Sequence, residues 1–214
     1  MTASVGAVAE IWRFPVKSMA GERVDTADLG PLGVPGDRHY AIRDVVSNKI
    51  VSAKQSKVGT ALLNCRAWTT KDGVKLRVNG SSFLVDEGAG LDAALSMLLG
   101  RAVRLVSATT DREVYESYWP PIEGVALSDV TIDLPIGMQT QAGTFVDLAA
   151  LHLASTGAVQ ELQRLCPGST ITMRRFRPSI VIDTGREVGF VENTWAGREA
   201  QLGGAVIRFG SASP

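Results

Sequence analysis

Apolar side chains alternate with charged ones at Val74, Leu76 and Val78, with Lys75 and Arg77 between them. A period of two puts the three apolar residues on one face and the two cations on the other, the pattern of a half-buried strand. Asn79-Gly80 follows, a pair that tolerates the positive φ of a tight hairpin, so Phe83-Leu84-Val85 is expected to return antiparallel. An apolar-rich segment from Val5 to Val16 reads as a strand that Pro15 ends at an edge or turn. Tyr40–Asp44 and Lys49–Ala53 read as strands about a turn at Ser47-Asn48, and Val103–Val106, Ser179–Asp183 and Ala205–Phe209 as three more. Helical spacing replaces alternation at Leu91, Leu95, Leu98 and Leu99, with Gly100 as a stop, and at Val159, Leu162, Leu165 and Cys166, ended by Pro167-Gly168. From Ser107 to about Gly143 the chain is polar and contains proline, and it carries Tyr115, Tyr118 and Trp119 ahead of Pro120-Pro121. So long a connection predicts a linker, a lid or a binding loop. Many short strands with two helices predict a β-rich α+β protein with barrel-like sheets.

At 214 residues the chain suits one large β unit or two smaller domains, and a 45% hydrophobic fraction allows a sizeable core. A formal net charge of +0 argues against a general nucleic-acid binder, so any anion site must be local. No basic segment followed by an apolar core opens the sequence, and no apolar run reaches the ~18 residues of a membrane span; a cytoplasmic protein is expected. Cys65 and Cys166 match no metal-ligand spacing and are expected as buried free thiols rather than a disulfide. The two histidines, His39 and His152, are too few for a histidine-rich metal site, no zinc pattern occurs, and no residue is assigned as a metal ligand.

Candidate chemistry begins with Arg174-Arg175-Phe176-Arg177-Pro178-Ser179, where three arginines crowd the start of a strand. Like charges so close repel, and a phosphate would offset them by accepting from each planar guanidinium. A solvated basic corner is the alternative. Phe14-Pro15-Val16-Lys17-Ser18 sets a cation beside a hydroxyl, a pair able to hold a phosphate oxygen, although an exposed strand-end lysine is the plainer reading. In Gly36-Asp37-Arg38-His39-Tyr40, Asp37 either orients Arg38 or caps a turn. Lys54, in Ser52-Ala53-Lys54-Gln55, adds another cation. Asp147, in Gly143-Thr144-Phe145-Val146-Asp147, sits among apolar residues and needs a partner, an arginine or a ligand N–H. Ser155 or Thr156 stands where a helix N-cap belongs, His152 suits a hydrogen-bonded core position, and Trp195 suits packing.

Together these segments, with Glu192-Asn193-Thr194-Trp195, resemble the MOSC superfamily, named for the C-terminal domain of molybdenum cofactor sulfurase. The resemblance is to members that pair an N-terminal β-barrel domain, here 1–112, with a MOSC domain, here 113–214; the mitochondrial amidoxime reducing component is one relative. It implies a pterin-based molybdenum cofactor whose anionic end is held by Lys17, Ser18 and Arg38, with Asp147, Arg175 and Arg177 near it. Asp147 is then the catalytic candidate, and Lys54 and Ser179 join the cofactor-binding set. The chain departs from the pattern at Ser179, where asparagine is typical, and at Leu148 and Ala149, which replace hydroxyl residues. The family's Pro-Arg-Cys segment would follow Pro214, and neither Cys65 nor Cys166 aligns with its cysteine. Either the sequence stops short of a reactive tail or this member lacks the thiolate.

Three functions are compatible with this. One is a molybdenum-cofactor oxidoreductase reducing N-oxygenated small molecules with electrons from a redox protein. Another is a sulfur carrier or cofactor-maturation protein served by a sulfur donor. The third is a metal-independent small-anion-binding module or biosynthetic enzyme on the same scaffold. No nucleic-acid or membrane partner is expected.

Overall fold

The structure, a computed structural model, describes residues 4–55, 58–118, 123–126 and 130–210. In chain order the strands and helices are β1 (Ala7–Arg13), β2 (Glu22–Val24), β3 (Tyr40–Asp44), β4 (Ile50–Val51), β5 (Arg66–Thr70), β6 (Gly73–Val78), β7 (Ser81–Leu84), α1 (Ala89–Leu99), β8 (Val103–Ser107), β9 (Val114–Tyr118), β10 (Thr131–Pro135), β11 (Leu153–Ser155), α2 (Thr156–Leu165), β12 (Ile180–Asp183), β13 (Glu199–Leu202) and β14 (Ala205–Arg208). Short 3₁₀ turns at Gly59–Asn64, Val85–Glu87, Met173–Arg175 and Val191–Trp195 join them. The fold is α+β and β-rich, as the patterning predicts.

The chain folds into two compact units that interleave along the sequence. The first comprises Met1–Trp12, Arg23–Gly30 and Leu151–Pro214, the second Arg13–Glu22 and Pro31–Ala150. In the first, β12 lies between β11 and β1, parallel to β11 and antiparallel to β1. The crossover from β11 to β12 runs through α2, a connection that parallel neighbours require. Ser155 caps α2 by accepting from the Ala158 N–H at 3.0 Å, and its hydroxyl donates to Glu192 at 2.8 Å. Ile180, Ile182 and Trp195 form this unit's core, with Trp195 5.3 Å from the Phe209 ring, so Trp195 packs as expected. The β13–β14 hairpin completes the unit; Glu199 to Leu202 alternates polar and apolar residues over only four positions, too short a run for periodicity alone to mark a strand.

The second unit holds a five-stranded sheet in the order β10-β9-β4-β3-β8 and a three-stranded sheet β5-β6-β7. The β6–β7 hairpin turns at Asn79 and Gly80, both at positive φ, as read from the sequence. On β6, Leu76 and Val78 point into a core shared with Leu62, Ala67, Leu91 and Leu95. Gly100, at φ 64°, ends α1 in the left-handed conformation that a residue without Cβ adopts freely. A second cluster gathers Ala41, Ile50, Tyr115, Ile136 and Phe145.

Three expectations change. The stretch from Ser107 to Gly143 is not one long connection, because β9 and β10 pair antiparallel across Thr131↔Tyr118 to Pro135↔Val114 and extend the five-stranded sheet. Alternation of Val114 and Glu116 with Tyr115 and Ser117 was masked by the polar composition around it. Tyr115 is buried in that sheet's core, whereas Trp119 and Pro120-Pro121 lie outside the described residues. The arginine segment does not open directly into a strand: Met173–Arg175 forms a 3₁₀ turn and β12 starts only at Ile180. Cys65 is buried as expected, but Cys166 is exposed at the end of α2, and both thiols are free. No helix among the described residues is long and apolar enough to cross a membrane.

Backbone crowding fixes the turn that carries Lys54. A Cβ on Gly59 would run into the Ser52 carbonyl, while the Gly59 N–H donates to the Gln55 carbonyl at 2.8 Å. Gly59→Ala is expected to destabilise the protein by about 1–3 kcal/mol, because the obstacle is backbone rather than a movable side chain. Urea unfolding of the variant measures this, and an unchanged midpoint would refute it.

Candidate functional site

Four stretches distant in sequence meet within the second unit. Residues 14–17 and 37–40 are joined along their backbones: the Arg38 N–H donates to Phe14 O at 2.7 Å, the Lys17 N–H to Tyr40 O at 2.8 Å and the Tyr40 N–H to Pro15 O at 3.0 Å. Asp37 is fully buried and ties the same two stretches together. Its Oδ1 accepts from the Phe14 N–H at 2.7 Å, and its Oδ2 pairs with the Arg38 guanidinium, which lies 4.6 Å from the centre of the Phe14 ring. Asp37 therefore orients Arg38, one of the two roles the sequence allowed. The third stretch, Ser52–Gln55, is a tight turn closed by Gln55 N–H to Ser52 O at 2.9 Å. It docks on Ser18, whose Oγ accepts from the Ala53 N–H at 2.9 Å. The fourth, 143–147, is anchored by the Phe145 N–H on Arg38 O at 2.7 Å and by the buried Phe145 ring.

Lys17 stands at the junction. Its side chain is only 5% exposed, which removes the reading of a solvated strand-end lysine. Its ammonium donates to Phe145 O at 3.0 Å and pairs with the Asp147 carboxylate. Lys54 approaches the other Asp147 oxygen at 3.4 Å. The ammonium groups of Lys17 and Lys54 lie 5.3 and 5.4 Å from the centre of the Tyr115 ring, and the phenol oxygen is 3.4 Å from Lys54 Nζ. A π face toward two cations offsets part of their mutual repulsion. The partner that Asp147 needed is thus a pair of lysines rather than an arginine or a ligand. Tyr115, one of the aromatics of the stretch expected as a linker, lid or binding loop, completes the cluster, and only sheet pairing places it opposite the lysines.

The charge balance is uneven. Asp37 neutralises Arg38, and Asp147 is shared by two lysines, which among the described residues leaves these paired groups with one more cation than carboxylate. Burial lowers the Lys17 pKa below its ordinary 10.5; Asp147 opposes this, while the nearby charges of Lys54 and Arg38 add to it. Burial would likewise raise Asp147, but the charges of Lys17 and Lys54 and their hydrogen bonds outweigh it and hold the carboxyl at about 2. At neutral pH Asp147 is a carboxylate that accepts hydrogen bonds and has no proton to give. Thr144 Oγ1, in the same loop, is buried with no hydrogen-bond partner among the described residues.

Backbone conformation marks the same residues. Ser18 has φ 67°, Arg38 φ 47° and Arg177 φ 52°, a left-handed region uncommon outside glycine, asparagine and aspartate. Such strain persists only where surrounding contacts enforce it, and it concentrates at binding sites. Arg112 contributes from further along: its guanidinium donates to the carbonyls of Ile136, Gly137 and Thr140, and the Gly137 N–H in turn donates to Asp147 O.

Arg175, Arg177 and Ser179 belong to the first unit. Arg175 is exposed on the 3₁₀ turn and Arg177 is half-buried. Ser179 is fully buried, its N–H donating to His152 O at 2.7 Å and its carbonyl accepting from the Trp12 N–H at 2.8 Å. Neither cysteine is poised for chemistry in the second unit: Cys166 lies in the first, and burial pushes the Cys65 thiol up to about 11. Among the described residues no group of three or more His, Cys, Asp or Glu side chains could hold a metal ion.

Two predictions follow from the lysine pair. Asp147→Asn leaves a buried ammonium without its counter-charge and is expected to cost about 2–4 kcal/mol, whereas Lys17→Met, which leaves Asp147 to solvent and Lys54, costs about 1 kcal/mol or less. Denaturant melts of both variants decide it, and the reverse ranking refutes the assignment. The second concerns pH. The Asp147 pKa is depressed from 3.8 to about 2, so between these values the unfolded chain binds the extra proton. The stabilisation is complete above 3.8 and is lost as pH falls toward 2. Asp147→Asn should flatten the dependence of unfolding free energy on pH in that window, and an unchanged slope counts against the pairing.

Comparison with curated proteins gives no match. Residues 5–95, which carry Lys17, Ser18, Arg38 and Lys54, match the family described as the MOSC N-terminal beta barrel domain. That match over the N-terminal part of the chain supports membership of the MOSC superfamily.

Proposed function

We propose that the cation cluster of the second unit holds the phosphate-bearing end of a pterin-based molybdenum cofactor, and that the protein is an oxidoreductase acting on N-oxygenated small molecules. The observation that carries this is the convergence of Lys17, Arg38 and Lys54 from separate stretches onto one region with a surplus positive charge, in a superfamily associated with that cofactor. The residues fit the group. Arg38 is pre-oriented by Asp37 and the Phe14 ring, which lowers the ordering cost of presenting its charge to a phosphate. Ser18 accepts from Ala53 and keeps its proton for an anionic oxygen. Lys54, half exposed, is the cation free to swing from Asp147 toward an incoming anion. The orphaned Thr144 hydroxyl is a further donor in the loop that bears Asp147.

When bound, the molybdenum centre supplies the two-electron chemistry that removes oxygen from nitrogen. Asp147, ionised at neutral pH, serves as a hydrogen-bond acceptor that orients an N–H or O–H group and favours the charged form of Lys17 against its burial. Arg175, Arg177 and Ser179 are assigned to the same cofactor by family resemblance, as are an electron-donating redox protein, a MOSC domain over 113–214 and a cytoplasmic setting.

The test is elemental and pterin analysis of protein purified from a host that makes the cofactor. Molybdenum and pterin should co-purify, and Arg38→Ala should reduce both, since each charge-assisted hydrogen bond to phosphate contributes about 1.5–3 kcal/mol. Protein of unchanged fold that carries neither overturns the proposal. Retention of another phosphorylated molecule in place of molybdenum and pterin would favour the metal-independent reading.

A further inference from the structure

The outer face of the β5-β6-β7 sheet has a composition that the anion site does not use. In the β5–β6 register Arg66 stands opposite Arg77 and Trp68 opposite Lys75. These four side chains share one face, because alternate residues of a strand point the same way and cross-strand partners lie side by side. The opposite face carries Ala67, Leu76 and Val78, buried against α1. The guanidinium groups of Arg66 and Arg77 lie 5.8 and 5.7 Å from the centre of the Trp68 ring. Among the described residues no carboxylate lies within ion-pair distance of Arg66, Lys75 or Arg77, although other basic residues of the same unit, such as Arg13, Arg43 and Lys49, are paired. Like charges directly opposite each other in a sheet repel, and the half-buried Trp68 ring is what holds the two arginines in place.

We propose that this face docks a carboxylate-rich segment of a partner protein. A three-cation surface without local counter-ions is complementary to carboxylates, and the chain's net charge of +0 makes the patch a local feature rather than a share of a general excess. Both arginines rest on Trp68, so the ring is already engaged by the chain's own cations; this favours a carboxylate partner over a nucleobase, which would need the ring for stacking. The docking reading is independent of what the Lys17 cluster holds, since none of these residues belongs to it.

The experiment titrates the whole protein with an oligoglutamate peptide and, separately, with an oligothymidylate of equal length, following Trp68 through the difference in fluorescence from a Trp68→Phe variant. Oligoglutamate is expected to bind more tightly than oligothymidylate at the same ionic strength and to perturb Trp68. Arg66→Gln with Arg77→Gln should weaken oligoglutamate binding by roughly three- to tenfold. A control of equal charge loss, Arg104→Gln with Arg198→Gln, should leave it unchanged. Removing two repelling charges does not threaten the fold, and Lys75→Gln alone gives a second, milder variant should the double one lose its structure by circular dichroism. Tighter binding of oligothymidylate, no binding of oligoglutamate, or equal weakening by the control pair overturns the proposal.

Discussion

A buried ammonium governs the second unit. Lys17 cannot be left charged in an apolar interior without partners, because desolvation of the ion outweighs what packing of its methylenes returns. Two groups resolve this: the Phe145 carbonyl and the Asp147 carboxylate. Both come from a single loop more than a hundred residues away along the chain, and that loop is held by Arg38 through its backbone and by Arg112 through Gly137. The demand of one side chain for neutralisation therefore orders the 143–147 loop, and the loop's position brings Asp147 to Lys54.

That constraint explains why the cluster is strained as well as charged. Ser18 and Arg38 adopt left-handed backbone conformations on either side of the join between 14–17 and 37–40, where hydrogen bonds between the two stretches leave no alternative. Asp37 supplies the compensation, since one buried carboxylate satisfies a backbone N–H and a guanidinium at once. A site with fixed donors, a surplus positive charge and an internal carboxylate is suited to an anion that competes with Asp147 for Lys54 rather than one entering an empty cavity. The exterior cations at Arg66, Lys75 and Arg77 contrast with this. They are in register on a regular sheet, carry no strain and have no counter-ion among the described residues, as befits a surface that meets its carboxylates in another molecule.

Much of the local structure could be read along the chain. Alternation at Val74 to Val78 with Asn79-Gly80, leucine spacing before Gly100, and a hydroxyl ahead of the second helix each act over a few residues, so their physics is complete within a short window. Hairpin β9–β10 was not legible in this way: Glu116, Ser117 and Asp133 make it look like loop, and only pairing against β4 gives the polar strands their place. Ser155 is legible as a cap because its hydrogen bond to the Ala158 N–H spans three residues, whereas the neighbours of Trp195, such as Ile180 and Phe209, are set by the fold.

The sequence by itself determined which residue types were available for anion chemistry and, through short motifs in a family order, which of them to examine: Lys17, Ser18, Arg38, Lys54, Asp147, Arg175, Arg177 and Ser179. It could not determine that Lys17 is buried, that two lysines share Asp147, or that Tyr115 lies beneath both ammonium groups. Those depend on which strands are neighbours and on how much water is excluded between them. Charge and hydrogen-bonding capacity belong to a residue wherever it stands, but desolvation and proximity are set by the folded chain, and they decide whether a lysine is a solvated surface group or the centre of a site.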